Sequence, residues 1–180
     1  MIGAKERKDG YMEGNGFLVS WCVGHLVELA QPEMYSEAWK KWSYESLPMI
    51  PEQWQHEVKK ETATQYKILK NLMHDTRVES VVCATDAGRE GELIFRLVYE
   101  MAGCNKSMKR LWISSMEESA IREGFAELKP GSDYDHLYES ALCRQQADGA
   151  FIKNEYEDRK RRIFEICVFF YWAFCFTLKH

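Results

Sequence analysis

The chain has 180 residues, of which 46% are hydrophobic and 29% are charged, a balance typical of one globular domain rather than a disordered segment. Its net charge of −4 excludes binding of nucleic acid through a large overall positive charge, so such contacts must come from local basic patches. Six cysteines without a C-x-x-C pair argue against a zinc site and indicate reduced cysteines of an intracellular protein.

The amino-terminal part predicts a surface loop followed by a strand. Residues 1–16 are charged and rich in glycine, without the pattern of a secretory signal, and Lys5, Arg7 and Lys8 among them could meet phosphate. Residues 17–22 are strand-like and lead into Gly24 and His25. A histidine there is either a hydrogen-bonded structural residue or a site residue that orients a phosphate or a water, since its pKa lies near neutrality.

Residues 32–61 are rich in Trp, Tyr and Pro and lack a clear period. We expect these aromatic side chains to cover a core; the alternative is that they stack nucleic-acid bases beside Lys40 and Lys41. Residues 62–74 have the period of a helix, with an apolar face formed by Tyr66, Leu69, Leu72 and Met73.

The stretch at residues 79–100 organises the chain. Residues 81–84 are a short apolar run typical of a buried strand, and an amphipathic helix follows, with Glu92 and Arg96 on its polar face. Asp86 therefore lies at the carboxyl end of a strand, where open α/β sheets bind their ligands.

Three carboxylates, Asp86, Glu90 and Glu92, fall within seven residues, together with Arg89. Mg²⁺ prefers oxygen ligands and keeps several waters, so one or two of these carboxylates are enough to bind it. The alternative is a solvated helix start in which Glu92 pairs with Arg96 across one turn.

Downstream, residues 109–113 predict another strand, and two helices follow, the second over residues 134–148 with Arg144 on it. The alternation of strands and helices predicts an α/β fold with right-handed βαβ units around a mainly parallel sheet.

Three segments in this order resemble one family. CATDAGREGELIFR (residues 83–96) resembles the acidic motif of the Toprim domain of type IA DNA topoisomerases, in the form found in bacterial topoisomerase III. YMEGNGFLVSWCVGHLVEL (residues 11–29) and RLWISSMEESAIREGFAELKPGSDYDHLYESALCRQQAD (residues 110–148) resemble the flanking family segments. The resemblance implies a Toprim, Rossmann-like fold, with residues 1–130 as the Toprim domain, 131–148 as the start of the next domain and 149–180 as an atypical tail.

The resemblance also implies a function. Family members cleave, pass and religate single DNA strands with Mg²⁺ and without ATP, so the expected partner is single-stranded or underwound DNA in the bacterial cytoplasm, in association with the nucleoid. No small-molecule nucleotide is expected, because the chain has no Walker loop. The implied residues are the metal ligands Asp86 and Glu90, their supporting partner Glu92, the catalytic residues Glu90, Arg89 and His25, and the DNA-binding residues Arg89, Arg144, Lys5 and Lys8.

The sequence departs from the family pattern in three places. Gly88 stands where the common motif has a second aspartate, although some topoisomerase III-like sequences resemble this variant. The family's first strand, which carries a catalytic glutamate, and its nucleophilic tyrosine are expected outside these 180 residues. We therefore expect the chain by itself to be inactive in relaxing DNA.

The tail after residue 148 does not resemble the family. A basic cluster, residues 159–162, precedes an apolar run at 166–176, which is shorter than the ~20 residues needed to span a bilayer. We expect no membrane association, although such a pattern could lie on a membrane surface. The preferred interpretation is a frameshifted or rearranged sequence.

Two alternative functions stay open. The chain could be a non-catalytic remnant that binds metal or DNA weakly, or a phosphohydrolase or response-regulator-like α/β domain, which also has acids at its strand ends.

Overall fold

The computed structural model describes residues 3–41, 48–151 and 172–179. Its strands are β1 (Glu6–Lys8), β2 (Tyr11–Gly14), β3 (Phe17–Val23), β4 (Val27–Leu29), β5 (His56–Val58), β6 (Val78–Ala84), β7 (Ser107–Arg110), β8 (Lys129–Pro130) and β9 (Trp172–Lys179). Its α-helices are α1 (Ala63–His74), α2 (Arg89–Ala102), α3 (Glu118–Ala126) and α4 (Asp135–Phe151). The predicted α/β class is confirmed.

The main sheet has the strand order β1-β2-β3-β9-β6-β7-β8, and β4 pairs with β5 separately. Among the described strands only β6 and β7 pair in parallel, joined by α2 as a βαβ unit. The other ladders are antiparallel, so the sheet is mixed and the expectation of a mainly parallel sheet is wrong in this respect.

Part of the predicted loop over residues 1–16 forms strands. β1 pairs with β2, and β2 with β3, because short turns join them and impose antiparallel pairing. In the second turn, Asn15 and Gly16 have φ values of 49° and 78°, a left-handed conformation that suits Asn-Gly in a two-residue hairpin.

The core lies between the sheet and helices α1 and α2. Val81, Val82 and Cys83 of β6 are fully buried, as predicted for a strand covered on both faces. Leu93, Ile94, Leu97 and Val98 of α2 and Leu69, Leu72 and Met73 of α1 are buried, which confirms the predicted apolar faces. The prediction that Glu92 and Arg96 lie on a polar face is wrong: both are buried, because Arg110 of β7 and Asp135 at the start of α4 pair with them.

The aromatic segment packs on itself beside β4. The Tyr35 ring lies 6.2 Å from that of Trp39 and 6.4 Å from that of Trp54, and all three line a pocket of about 200 Å³ together with the buried Met49. Trp42 and Tyr44 of this segment lie outside the described residues.

Strand β9 lies at the centre of the sheet, antiparallel to β3 on one side and to β6 on the other. Its sequence, WAFCFTLK, is almost continuously apolar, a pattern typical of strands covered on both faces of a sheet. Because β3 and β6 both run antiparallel to β9, they run parallel to each other and their carboxyl ends lie at the same edge. Residues 172–179 of the predicted atypical tail therefore form a strand of the main sheet, while residues 152–171 lie outside the described residues.

In the described part of the chain, no helix combines the length and the apolar character needed to cross a membrane.

The register of β9 can be tested with native cysteines. Cys175 lies directly opposite Cys83 of β6, and opposite Cα atoms in an antiparallel ladder are about 4.5–5.5 Å apart, within the span of a disulfide. We expect diamide to link these residues in the folded chain, slowly, because burial raises the pKa of the Cys83 thiol to about 11. Peptide mapping by mass spectrometry measures the link.

Cys175→Ser should abolish this link, and the exposed Cys143 should stay open to alkylation. A folded chain that forms no link between Cys83 and Cys175 after prolonged treatment with diamide would contradict this position of β9.

Candidate functional site

Several of the predicted site residues lie at the edge of the sheet where β3 and β6 end. Asp86 follows β6 by two residues, and Arg89 begins α2. His25 follows β3 after Gly24, whose φ of 68° turns the chain. The Nε2 atom of His25 lies 3.7 Å from Oε2 of Glu90 in the first turn of α2. This is the edge at which α/β sheets bind their ligands.

The loop between β6 and α2 is held by backbone contacts. The hydroxyl of Thr85 donates a hydrogen bond to the Gly91 carbonyl at 2.8 Å, and the Gly88 amide donates to the Asp86 carbonyl at 2.9 Å. Gly91 packs so closely that a Cβ atom there would lie 2.3 Å from the Asp86 carbonyl oxygen. A glycine at this position is therefore required for α2 to begin directly against Asp86.

Behind the loop, Arg110 and Glu92 form a buried ion pair. Nε of Arg110 lies 2.9 Å from Oε2 of Glu92, close in distance but without the alignment of a hydrogen bond. Arg96 donates from Nε to Oε1 of Glu92, also at 2.9 Å. Glu92 is therefore enclosed by two guanidinium groups. Sequence reasoning missed Arg110. The available signal was its position inside the predicted strand 109–113, directly before the apolar residues Leu111, Trp112 and Ile113.

A groove of about 280 Å³ lies beside this edge. Its polar lining consists of His25, Glu28, Lys59, Glu90, Arg144, Gln145 and Asp148. Arg144 therefore shares a groove with His25 and Glu90, two of the other predicted residues. Sequence reasoning missed Lys59 and Gln145, which no local pattern distinguishes from surface residues.

The charges in the groove are partly paired. Lys59 Nζ lies 3.5 Å from a Glu28 oxygen, and Arg144 Nε lies 3.8 Å from an Asp148 oxygen. Burial lowers the pKa of His25 more than the neighbouring Glu90 raises it. The imidazole is therefore favoured in its neutral form, which can both donate and accept a hydrogen bond.

Lys5 and Lys8 do not lie at the sheet edge that carries Asp86 and His25. Lys8 ends β1, where it pairs with Glu6, and Lys5 directly precedes that strand. Strands β2, β3 and β9 separate β1 from β6, so the distance across the sheet is about 19 Å, given a spacing of about 4.8 Å per strand.

The described residues offer a small donor set for a metal. Asp86 is exposed and Glu90 is partly exposed, whereas Glu92 is sealed between arginines. No group of three or more His, Cys, Asp or Glu side chains in the described ranges is placed to hold a metal ion. Two carboxylates plus water nevertheless fit Mg²⁺, which takes few protein ligands and keeps several waters.

Comparison with known proteins identifies the family. The family model of the Toprim domain matches residues 6–116. The chain belongs to the Toprim domain family. It is 49% identical over 147 residues to a DNA topoisomerase 3 of Staphylococcus haemolyticus, and 48% identical over 148 residues to one of Bacillus thuringiensis. Each match covers 82% of this chain, which spans about a fifth of the length of these relatives (21% and 20%).

The close packing of Gly91 against Asp86 predicts that a larger residue at position 91 destabilises this Toprim domain. Gly91→Ala should lower the free energy of unfolding by about 1–3 kcal/mol, because the new methyl group must displace the Asp86 backbone. Urea denaturation measures the change.

Gly88→Ala is the matched control, since Gly88 has an extended φ of −174° and open space around it. Its cost should stay within about 1 kcal/mol, the usual cost of alanine at a helix N-cap. Equal costs for the two variants would show that the approach of Gly91 to Asp86 is not tight.

Proposed function

We propose that this Toprim domain is part of a type IA DNA topoisomerase of the topoisomerase III kind, which cleaves one DNA strand, passes another and religates the break with Mg²⁺ and without ATP. The observation that carries the proposal is the placement of Asp86, Glu90 and His25 at one sheet edge, beside a groove lined by Lys59 and Arg144. The name of the relatives, DNA topoisomerase 3, supports it. The proposed partner is single-stranded or underwound DNA in the bacterial cytoplasm.

The carboxylates of Asp86 and Glu90 would hold the Mg²⁺ ion. An ion bound there would supply positive charge that offsets the negative charge of the scissile phosphate and of the 3′-oxygen. Glu92 would support the metal site indirectly. It contacts Arg110, which in turn binds the loop that carries Asp86.

The remaining residues would bind and orient DNA. Arg89 lies at the first position of α2, where the helix dipole also favours a phosphate. His25, in its neutral form, would orient a phosphate or a water by hydrogen bonding. Lys59 and Arg144 would attract the backbone along the groove, a contribution that weakens with added salt.

A second candidate is a non-catalytic remnant that binds metal or DNA weakly. The small set of carboxylates in the described residues favours it. The two candidates can be separated with a chimera. In this chimera, residues 3–148 replace the matching region of the Bacillus thuringiensis relative. The enzyme proposal expects the chimera to relax plasmid DNA and to lose relaxation on Asp86→Asn. An inactive, folded chimera favours the remnant.

The 180-residue chain alone should not relax supercoiled plasmid, because it corresponds to about a fifth of the relatives it matches. Agarose gel electrophoresis with Mg²⁺ and without ATP measures this. Relaxation by the purified chain would contradict this prediction. Relaxation that also persists after Asp86→Asn would contradict the assignment of the site.

Metal binding tests the acidic residues directly. Asp86→Asn should weaken Mn²⁺ or Mg²⁺ binding at least tenfold, or about 1.4 kcal/mol, because it removes one of two charged ligands. Gly88→Asp should strengthen binding, because it adds a carboxylate where the structure has open space. Isothermal titration measures both, with the exposed Asp133→Asn as the control. Equal affinities in Asp86→Asn and Asp133→Asn would remove Asp86 from the site.

A further inference from the structure

We propose that Arg110 is a positioning residue, which fixes the loop that carries Asp86 by binding its backbone and which is itself oriented by Glu92. This inference rests on the proposed function, because the ligand of the loop is taken to be a divalent cation. Neither Arg110 nor Glu92 is assigned any contact with that cation.

The contacts of Arg110 converge on the end of β6. Its Nη1 atom donates to the carbonyls of Thr85 at 2.8 Å, Leu111 at 2.7 Å and Cys83 at 3.2 Å, and its Nη2 atom donates to the Asp86 carbonyl at 2.6 Å. The side chain has no exposed surface. One guanidinium therefore holds the backbone on both sides of the point where the strand becomes the loop.

This set of contacts needs an arginine. A guanidinium is planar and presents five donors in a fixed fork, whereas a lysine ammonium is a compact charge that cannot reach four separated carbonyls. The rings of Trp112 and Tyr134 lie 4.9 Å and 5.9 Å from the centre of the guanidinium and restrict it further. Glu92 binds the Nε side, which leaves both Nη atoms directed at the carbonyls.

Arg96 provides a matched control within the same network. It also binds Glu92, but its Nη2 atom donates to the Gly131 carbonyl and to Asp135, both at 2.7 Å, near the start of α4. Within the described ranges, the hydrogen bonds and ion pairs of Arg96 do not reach the loop after β6. If the network serves stability alone, Arg110→Lys and Arg96→Lys should act alike.

The first measurement is hydrogen exchange in EDTA, which needs no metal. The reporters are the Gly88 and Glu92 amides, which donate to the carbonyls of Asp86 and Gly88. Arg110→Lys should accelerate their exchange at least tenfold, and Arg96→Lys less than twofold, at temperatures matched to each variant's Tm. Acceleration spread equally over α1 would show general destabilisation and overturn the proposal.

The second measurement is Mn²⁺ titration followed by electron paramagnetic resonance. Arg110→Lys should weaken binding at least tenfold, and Arg96→Lys less than twofold. Unchanged affinity in folded Arg110→Lys overturns the proposal even if exchange accelerates. If Arg110→Lys does not fold, Glu92→Gln, which preserves the shape of the side chain, should give the same local acceleration and loss of affinity.

The two proposals fail in different ways. If the wild type binds no Mn²⁺, the proposed function fails, and the exchange experiment alone decides whether Arg110 holds the loop. If the wild type binds Mn²⁺ and both lysine variants bind it equally well, only the positioning role is overturned.

Discussion

The structure depends on the buried guanidinium of Arg110. A buried charge is costly unless it is paired and hydrogen-bonded. Arg110 is paired with Glu92 through its Nε side, and its two Nη atoms donate hydrogen bonds to four carbonyls. Arg96 and Asp135 extend the network, so that two positive and two negative groups balance. Removing one partner of such a buried pair costs about 3–5 kcal/mol, so β6, α2, β7 and the start of α4 are joined at a single point.

The candidate site is assembled from segments that are far apart in the sequence. His25 comes from the end of β3, Asp86 and Glu90 from the end of β6 and the start of α2, and Arg144 from α4. The central position of β9 places β3 and β6 two strand spacings apart, about 10 Å, with their carboxyl ends at the same edge. The width of the sheet and the packing of α4 therefore determine which side chains share the groove.

Local sequence patterns predicted the strand and the helix that flank Asp86. The features that these patterns did not predict arise from contacts between segments far apart in the sequence. The apolar run before Asp86 and the period of the following helix were sufficient to place β6 and α2. They were not sufficient for Glu92 and Arg96, which look solvent-exposed on a helical wheel but are covered by residues from β7 and α4. The antiparallel pairing in the middle of the sheet likewise depends on β9, which follows β6 by about ninety residues.

The sequence by itself determined the strand, turn and helix around Asp86, because periodicity and turn chemistry act over a few residues. It also placed two carboxylates at a strand end and carried the family resemblance. Only the tertiary structure decided that Glu92 faces two arginines, that Arg110 holds the Asp86 loop, and that Lys59 and Arg144 share a groove with His25. These relations are contacts between distant segments, and their free energy arises from desolvation and pairing in a packed interior, which no local pattern encodes.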